Sequence, residues 1–140
     1  MSYDIFVQDI PSSVHRVEDI PEDFRPRSIG RRSDIIAVIT AVAPVADFAD
    51  PSWGIIEDAG WSIEVNLGEE EDVSGFAFHL RGGGEEPLSI VAEILNRLNL
   101  RAFAPDTDNG LFEPGPKVAE AFQRWQRYRD QVINRNGSSS

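Results

Sequence analysis

The chain has no cysteine, few basic residues and no long apolar run. The lack of cysteine among its 140 residues excludes disulfide bonds, thiolate nucleophiles and cysteine-based zinc sites, and it suits a reducing compartment. Residues 1–10 contain no basic region of the kind that begins a signal peptide. The longest apolar run, over residues 35–46, is about a dozen residues and too short to span a bilayer. We therefore expect a soluble, cytoplasmic protein with no membrane partner.

Basic residues are outnumbered by acidic ones, 13 against 24, which gives a formal net charge of −11. Three acidic and five basic residues from Glu113 onward leave that end at +2, so the rest of the chain carries −13. Such a surface repels phosphate backbones and anionic membranes and attracts basic proteins. It argues against a nucleic-acid partner and favours a basic protein partner. Plain solubility explains an acidic surface equally well.

The spacing of apolar residues predicts a single α+β domain over residues 1–135, followed by a flexible tail over 136–140. The order β-α-β-β-α-β plus a C-terminal helix is typical of the ferredoxin-like arrangement, an antiparallel sheet with two helices on one face. The turn-rich stretch 47–61 leaves room for one short strand at 54–57. Strands are predicted at 3–8, 61–67, 73–80 and 101–104, and helices at 33–43, 85–98 and 115–134.

A long segment without regular periodicity separates the first strand from the first helix. Residues 9–31 hold three prolines and mixed charge, which predicts a long loop or strap. Segments of this length in compact domains tend to be functional or mobile. Ser33 is expected to cap the helix that follows, with Asp34 in its first turn.

Three consecutive glycines, Gly82 to Gly84, stand between a predicted strand and a predicted helix. Phosphate-binding loops place such glycines before a helix N-terminus. The spacing here fits neither the dinucleotide-binding pattern nor the P-loop pattern. Glu85 and Glu86 also occupy the place where the phosphate charge would lie. We therefore expect a strand-to-helix turn rather than an anion site.

One face of the predicted sheet is apolar and the other is largely polar. The compact pairing of the central hairpin places Ser62 opposite His79 and Glu64 opposite Ala77. Three interpretations of the polar face stay open: a solvated or helix-covered face, a partner-binding face, or an acid–base site that uses His79 with Glu64 or Asp4. The residues expected on this face are Asp4, Phe6, Gln8, Ser62, Glu64, Asn66, His79 and Arg81.

Two further segments are candidate contact surfaces. The acidic hairpin loop 68–72 is exposed in any such fold, and the last helix carries an apolar stripe, with Trp125, flanked by arginines. That stripe either packs on the domain or forms a dimer or partner surface. The DPSWG stretch leaves the same two alternatives open for Trp53, and it is expected to be a turn that buries the ring. No catalytic residue, metal ligand or cofactor is predicted, and the predicted partner-binding residues are Glu64, Glu69, Glu70, Glu71, Asp72, His79, Arg81 and Trp125.

Five stretches, YDIFV, DFADPSWG, SIEVNLG, FAFHLRGG and RAFAPDTDNG, resemble a family of small, acidic, uncharacterised bacterial proteins associated with the immunity partners of polymorphic secreted toxins. The resemblance covers most of residues 3–112, and its motifs are structural rather than catalytic. It implies a non-catalytic protein that neutralises a basic toxin or enzyme domain. Two other functions stay open: a ferredoxin-like structural or regulatory module that binds a small ligand or forms a homodimer, and a small enzyme that uses His79.

Overall fold

Alternating apolar and polar residues build a sheet in the computed structural model, which describes residues 2–104, 107, 109–113, 120, 122–128 and 130–131. The strands Tyr3–Gln8 and Trp61–Asn66 bury every second side chain, as the period of a half-buried strand requires. The strands are β1 (Tyr3–Gln8), β2 (Gly30–Arg31), β3 (Asp47–Asp50), β4 (Trp53–Asp58), β5 (Trp61–Asn66), β6 (Asp72–Val73), β7 (Gly75–Gly82) and β8 (Arg101–Phe103), and the α-helices are α1 (Arg32–Val42) and α2 (Glu86–Leu98).

The main sheet has six strands in the order β3-β4-β5-β7-β1-β8, and its neighbouring strands are antiparallel. The predicted α+β class is confirmed, but the strand order differs from the four-stranded prediction because a β3–β4 hairpin extends the sheet beside β5. The sequence predicted one short strand there. Within the hairpin, Gly54 has no side chain, so the ring of Phe48 packs where a Cβ atom would lie.

The helices share one face of the sheet and one core. Buried side chains of α1 and α2 belong to the same cluster as the apolar residues of β1, β5 and β7. Residues 122–128 are helical and add Phe122 and Trp125 to that cluster. The rest of the predicted helix 115–134 is described only at residues 120 and 130–131, and the predicted tail 136–140 lies outside the described residues. Within the described part of the chain, no helix is long and apolar enough to cross a membrane.

The register between β5 and β7 is shifted by two residues from the predicted one. Ser62 pairs with Arg81 and Glu64 pairs with His79, so each partner lies two residues further along β7 than expected. The longer connection buries Val73 and lets β6 pair with β2. A two-residue shift keeps every side chain on its face. The observed register occurs together with the pairing of β6 and the distant β2. The sequence of the β5–β7 hairpin alone does not predict that pairing.

The strap over residues 9–31 is tied to the domain at both ends. Near its start, Ile10 and Val14 are buried, and the guanidinium of Arg101 donates hydrogen bonds to the carbonyl oxygens of Pro11 at 2.6 Å and Val14 at 2.7 Å. Near its end, β2 pairs with β6 in a small second sheet. The predicted strap is therefore an ordered part of the fold that delivers the chain to the start of α1.

The first turn of α1 is capped by a carboxylate from the acidic loop. The helix begins at Arg32, and the residue before it makes no side-chain cap. Glu71 instead accepts hydrogen bonds from the hydroxyl of Ser33 and from its backbone N–H at 3.2 Å. Ser33 is thus not the helix cap that the sequence predicted, because it lies inside the first turn. The Ser33 hydroxyl, then its N–H, and then the nearby charges of Arg31 and Arg32 lower the pKa of the Glu71 carboxyl below its ordinary value.

We expect Glu71→Ala to lower the free energy of unfolding at neutral pH, because the first turn of α1 loses its acceptor. Since the pKa of Glu71 is lowered in the folded state, this stabilisation is fully present above the ordinary value of 4.5 and is lost as the pH falls through the folded-state value. Urea unfolding of both proteins across the acid range should show a difference that shrinks with acidification. Glu70→Ala is the neighbouring control, and an equal loss in both variants would contradict the capping role.

Candidate protein-binding face

The side of the main sheet opposite the helices, here called the open face, carries rows of side chains paired across five strands. Directly paired residues in an antiparallel sheet share a face and lie close enough to interact. One row therefore combines aromatic with small and polar residues, and its neighbour combines carboxylates with an imidazole. The first row is Asp50, Trp53, Asn66, Ala77 and Phe6, the second is Asp47, Ile55, Glu64, His79 and Asp4, and a third, shorter row is Glu57, Ser62 and Arg81.

Three of the predicted contact residues meet at the centre of the open face. The Nδ1 atom of His79 lies 2.7 Å from Oδ1 of Asp4, and Nη1 of Arg81 lies 2.8 Å from Oε2 of Glu64. The indole of Trp53 stacks on the His79 ring, with ring centroids 5.8 Å apart and planes inclined by 17°. These contacts hold the imidazole from its edge and from one face, and they fix the orientation of the indole.

Two large aromatic side chains of the open face are exposed. Trp53 is 37% exposed and Phe6 is 40% exposed. The expectation that a turn buries Trp53 is therefore wrong, because Trp53 begins β4 and points to the side of the sheet away from the helices. Exposed aromatic residues are enriched at the centres of protein–protein interfaces. Trp53 is a candidate contact residue that the predicted partner-binding set did not include.

The open face collects carboxylates from a part of the chain that has no basic residue. Between Arg32 and Arg81 there are ten acidic residues and no lysine or arginine. This run is visible in the sequence. The position of its acidic residues on the open face depends on the β3–β4 hairpin, which was not predicted and which places several of them beside Trp53. Among the described strand residues, the open face carries five carboxylates, Asp4, Asp47, Asp50, Glu57 and Glu64, against two guanidiniums, Arg81 and Arg101.

Two carboxylates at the β3–β4 edge are held in fixed orientations. Asp50 accepts hydrogen bonds from the Ser52 hydroxyl at 2.7 Å and the Ser52 backbone N–H at 3.0 Å, and these bonds lower the pKa of its carboxyl below the ordinary value. Asp47 accepts a hydrogen bond from the backbone N–H of Ala49 at 2.9 Å. Asp50 is thus ionised at neutral pH, and both acids lie at the edge of the face near Trp53.

The acidic loop 68–72 divides into structural and available carboxylates. Glu71 caps α1, and Asp72 accepts a hydrogen bond from the hydroxyl of Ser28 in the strap. Glu69 and Glu70 are exposed, and within the described part of the chain their side chains make no hydrogen bond or ion pair. Of the four predicted loop contacts, two therefore remain available to a partner.

Trp125 lies in the core rather than on a contact surface. It is 9% exposed, stacks on Phe122 with centroids 5.7 Å apart and meets Tyr3 edge to face at 6.0 Å. Tyr3 belongs to the helix-covered side of β1, so the described part of the last helix does not cover the open face. Little of the Trp125 ring is left for a partner.

The pair of Asp4 and His79 has the geometry of a carboxylate that orients an imidazole base. Ser62, a hydroxyl of the same face, is paired with Arg81 rather than with His79. Among the described residues, no three His, Cys, Asp or Glu side chains lie close enough together to hold a metal ion. Asp4 can therefore orient the His79 ring as a base, but no hydroxyl group among the described residues forms a hydrogen bond with that ring.

Comparison of the chain with protein-family models, curated proteins and solved structures finds no match. The resemblance to toxin-immunity proteins therefore stays a prediction. What the chain does has to be argued from the geometry and charge of the open face.

Proposed function

We propose that this chain is a non-catalytic binding protein that docks a basic protein partner on the open face, as an immunity protein docks its toxin. The observation that carries the proposal is an exposed aromatic pair, Trp53 and Phe6, set within a surplus of carboxylates. Interfaces of this kind combine a desolvated aromatic centre with a charged rim. The opposite charge of the partner steers its approach and fixes its orientation.

Arginine is the side chain that suits this surface best. A guanidinium stacks on an indole and offers a planar fork of donors to carboxylates. Trp53 supplies the indole, and Asp47 and Asp50 supply carboxylates at the same edge. A cation–π contact at an exposed site contributes roughly 0.5–1 kcal/mol, so several such contacts are needed for stable binding. The partner is expected to present a cluster of arginines rather than one.

Self-association through the open face is disfavoured by the same charges. Two copies meeting face to face would bring five carboxylates of the described strands against five, with only two guanidiniums on each side. Juxtaposed like charges cost several kcal/mol at an interface. The surface also repels the phosphates of nucleic acids. A basic protein therefore fits the open face better than a second copy of the chain does.

We also propose that β8, β1, β7 and β5 form a ferredoxin-like core to which the β3–β4 hairpin is added. The order of these four strands and their antiparallel pairing support that proposal, as do α1 and α2 on one face. The added hairpin extends the open face and brings Asp47, Asp50, Trp53 and Glu57 to it. In this interpretation the hairpin is the element that turns a common core into a docking surface.

The proposal predicts that charge on the open face matters more than net charge. A triple variant, Asp47→Asn, Asp50→Asn and Glu57→Gln, should weaken binding of a peptide of four arginines around a central glycine by about tenfold. Isothermal titration calorimetry at low and high salt measures this affinity, and binding should weaken as salt screens the charges. The three substitutions keep side-chain oxygen acceptors, which preserves the turn bonds of Asp47 and Asp50.

The control is a second triple variant on the helix side, Asp34→Asn, Glu93→Gln and Glu120→Gln, which removes the same number of charges. We expect it to bind the peptide nearly as well as the unaltered protein does. Equal weakening in the two variants would mean that the peptide responds only to net charge, and the proposed docking role of the open face would be wrong.

A further inference from the structure

A groove of about 380 Å³ lies on the open face between the aromatic row and the acidic loop. Its floor contains the small residues Gly75 and Ala77 of β7, and Phe6 of β1 lines it from the neighbouring strand. Pro26 of the strap and Gly68 of the acidic loop also line it. The groove is therefore built from the sheet, the strap and the loop together, and its volume is large enough to hold an amino-acid side chain.

The position of the groove links the two acidic regions of the surface. Gly68 is followed directly by Glu69 and Glu70, the two carboxylates of the loop that the fold leaves available. On the other side, Asn66 lines the groove and is paired with Trp53, at the start of the acidic β3–β4 edge. The groove thus has one acidic region adjoining each of two lining residues, Gly68 and Asn66.

We propose that the groove binds an apolar side chain of the basic partner, so that the recognised segment is one aliphatic or aromatic residue flanked by cationic residues. This inference rests on the proposed function of the open face. Burial of an aliphatic or aromatic side chain contributes more to affinity than an exposed ion pair does. An occupant of the groove would also cover the exposed ring of Phe6, which adds to the apolar surface removed from water.

Two peptides of equal charge test the inference: four arginines around a central leucine, and the same four around a central glycine. Titration calorimetry should show that the leucine peptide binds the unaltered protein about tenfold more tightly. Ala77→Leu, which fills the floor of the groove, should abolish that advantage, so that the leucine and glycine peptides then bind the variant equally. Ala59→Leu, in an exposed turn, is the control and should keep the advantage.

A second variant keeps the test decisive if Ala77→Leu folds poorly. Phe6→Ala removes one wall of the groove and no charge, so it should weaken binding of the leucine peptide several-fold more than binding of the glycine peptide. Circular dichroism and thermal unfolding of each variant show whether a loss of binding reflects a loss of fold.

The outcomes separate the inference from the proposed function. Equal affinity for the two peptides, with both weakened by the open-face triple variant, would overturn the apolar anchor and keep the docking role. Failure of both peptides to bind at low salt would overturn both proposals. A concentration-dependent dimer in sedimentation that disappears in Ala77→Leu would show that a second copy of the chain fills the groove, which would also overturn the inference.

Discussion

Trp125→Ala is expected to destabilise the protein by about 3–5 kcal/mol, the range for truncating a buried aromatic side chain. The indole is 9% exposed and contacts both Phe122 and Tyr3. Each aromatic pair adds roughly 0.5–1.5 kcal/mol beyond the buried area. Urea unfolding followed by circular dichroism measures the loss. Its size tests whether the last helix is an integral part of the core rather than a contact surface.

Tyr128→Ala on the same helix is the matched control. Tyr128 is 59% exposed, and substitutions at exposed positions usually change stability by less than about 0.5 kcal/mol. Similar small losses in the two variants would show that residues 122–128 do not dock on the sheet. In that case the aromatic stripe would again be a candidate dimer or partner surface.

Gly82→Ala is expected to destabilise the protein by about 3 kcal/mol, through steric overlap and backbone strain together. A Cβ atom at this position would lie 2.2 Å from the carbonyl oxygen of Gly60 and 2.5 Å from Cα of Trp61. The backbone φ of +97° is also one that L side chains rarely adopt. Thermal and urea unfolding measure the effect. The position requires glycine because β7 approaches the β4–β5 turn closely here.

The two following glycines provide graded controls for that prediction. Gly84 has a φ of +81° but open space around it, so Gly84→Ala should cost only the backbone strain, about 1 kcal/mol. Gly83 has open space and no unusual φ, so Gly83→Ala should be neutral or slightly stabilising. Equal effects at all three positions would contradict the interpretation of this run as a close strand-to-helix turn.

The sequence predicted most reliably the features that depend on local periodicity. The alternation in β1, β5 and β7 shows which side chains share a face, and a two-residue register shift does not alter that assignment. Asp4, Glu64 and His79 were therefore expected on one face and are found there. The two α-helices begin and end within a few residues of their predicted limits because their apolar spacing is equally local.

Features that depend on contacts between distant segments were not predictable from local patterns. The carboxylate that caps α1 comes from Glu71, and the register of β7 goes with the pairing of β6 with β2. The β3–β4 hairpin was missed because its Asp-Pro-Ser-Trp-Gly sequence reads as a turn, whereas Phe48 and Gly54 pack together across the two strands. The position of Trp53 on the open face follows from that hairpin.

The part of the candidate site that lies on regular strands was predictable from local periodicity, and the part that depends on contacts between distant segments was not. Glu64, His79 and Arg81 belong to regular strands, and the structure brings them together on the open face. The acidic loop was expected to act as one contact surface, but two of its four carboxylates hold the strap and α1 in place. The run without basic residues between positions 32 and 81 is the signal in the sequence that could have indicated the remaining carboxylates.

The indole N–H signals of the three tryptophans give the most direct test of the central claim that the open face docks a basic partner. Trp53 lies on that face, Trp61 donates its indole N–H to Glu86 beneath the sheet, and Trp125 is in the core. In a nuclear magnetic resonance titration with the arginine–glycine peptide, we predict that the Trp53 signal moves while those of Trp61 and Trp125 stay in place. Movement of Trp61 or Trp125 without Trp53, or no movement of Trp53 at saturating peptide, would contradict the claim.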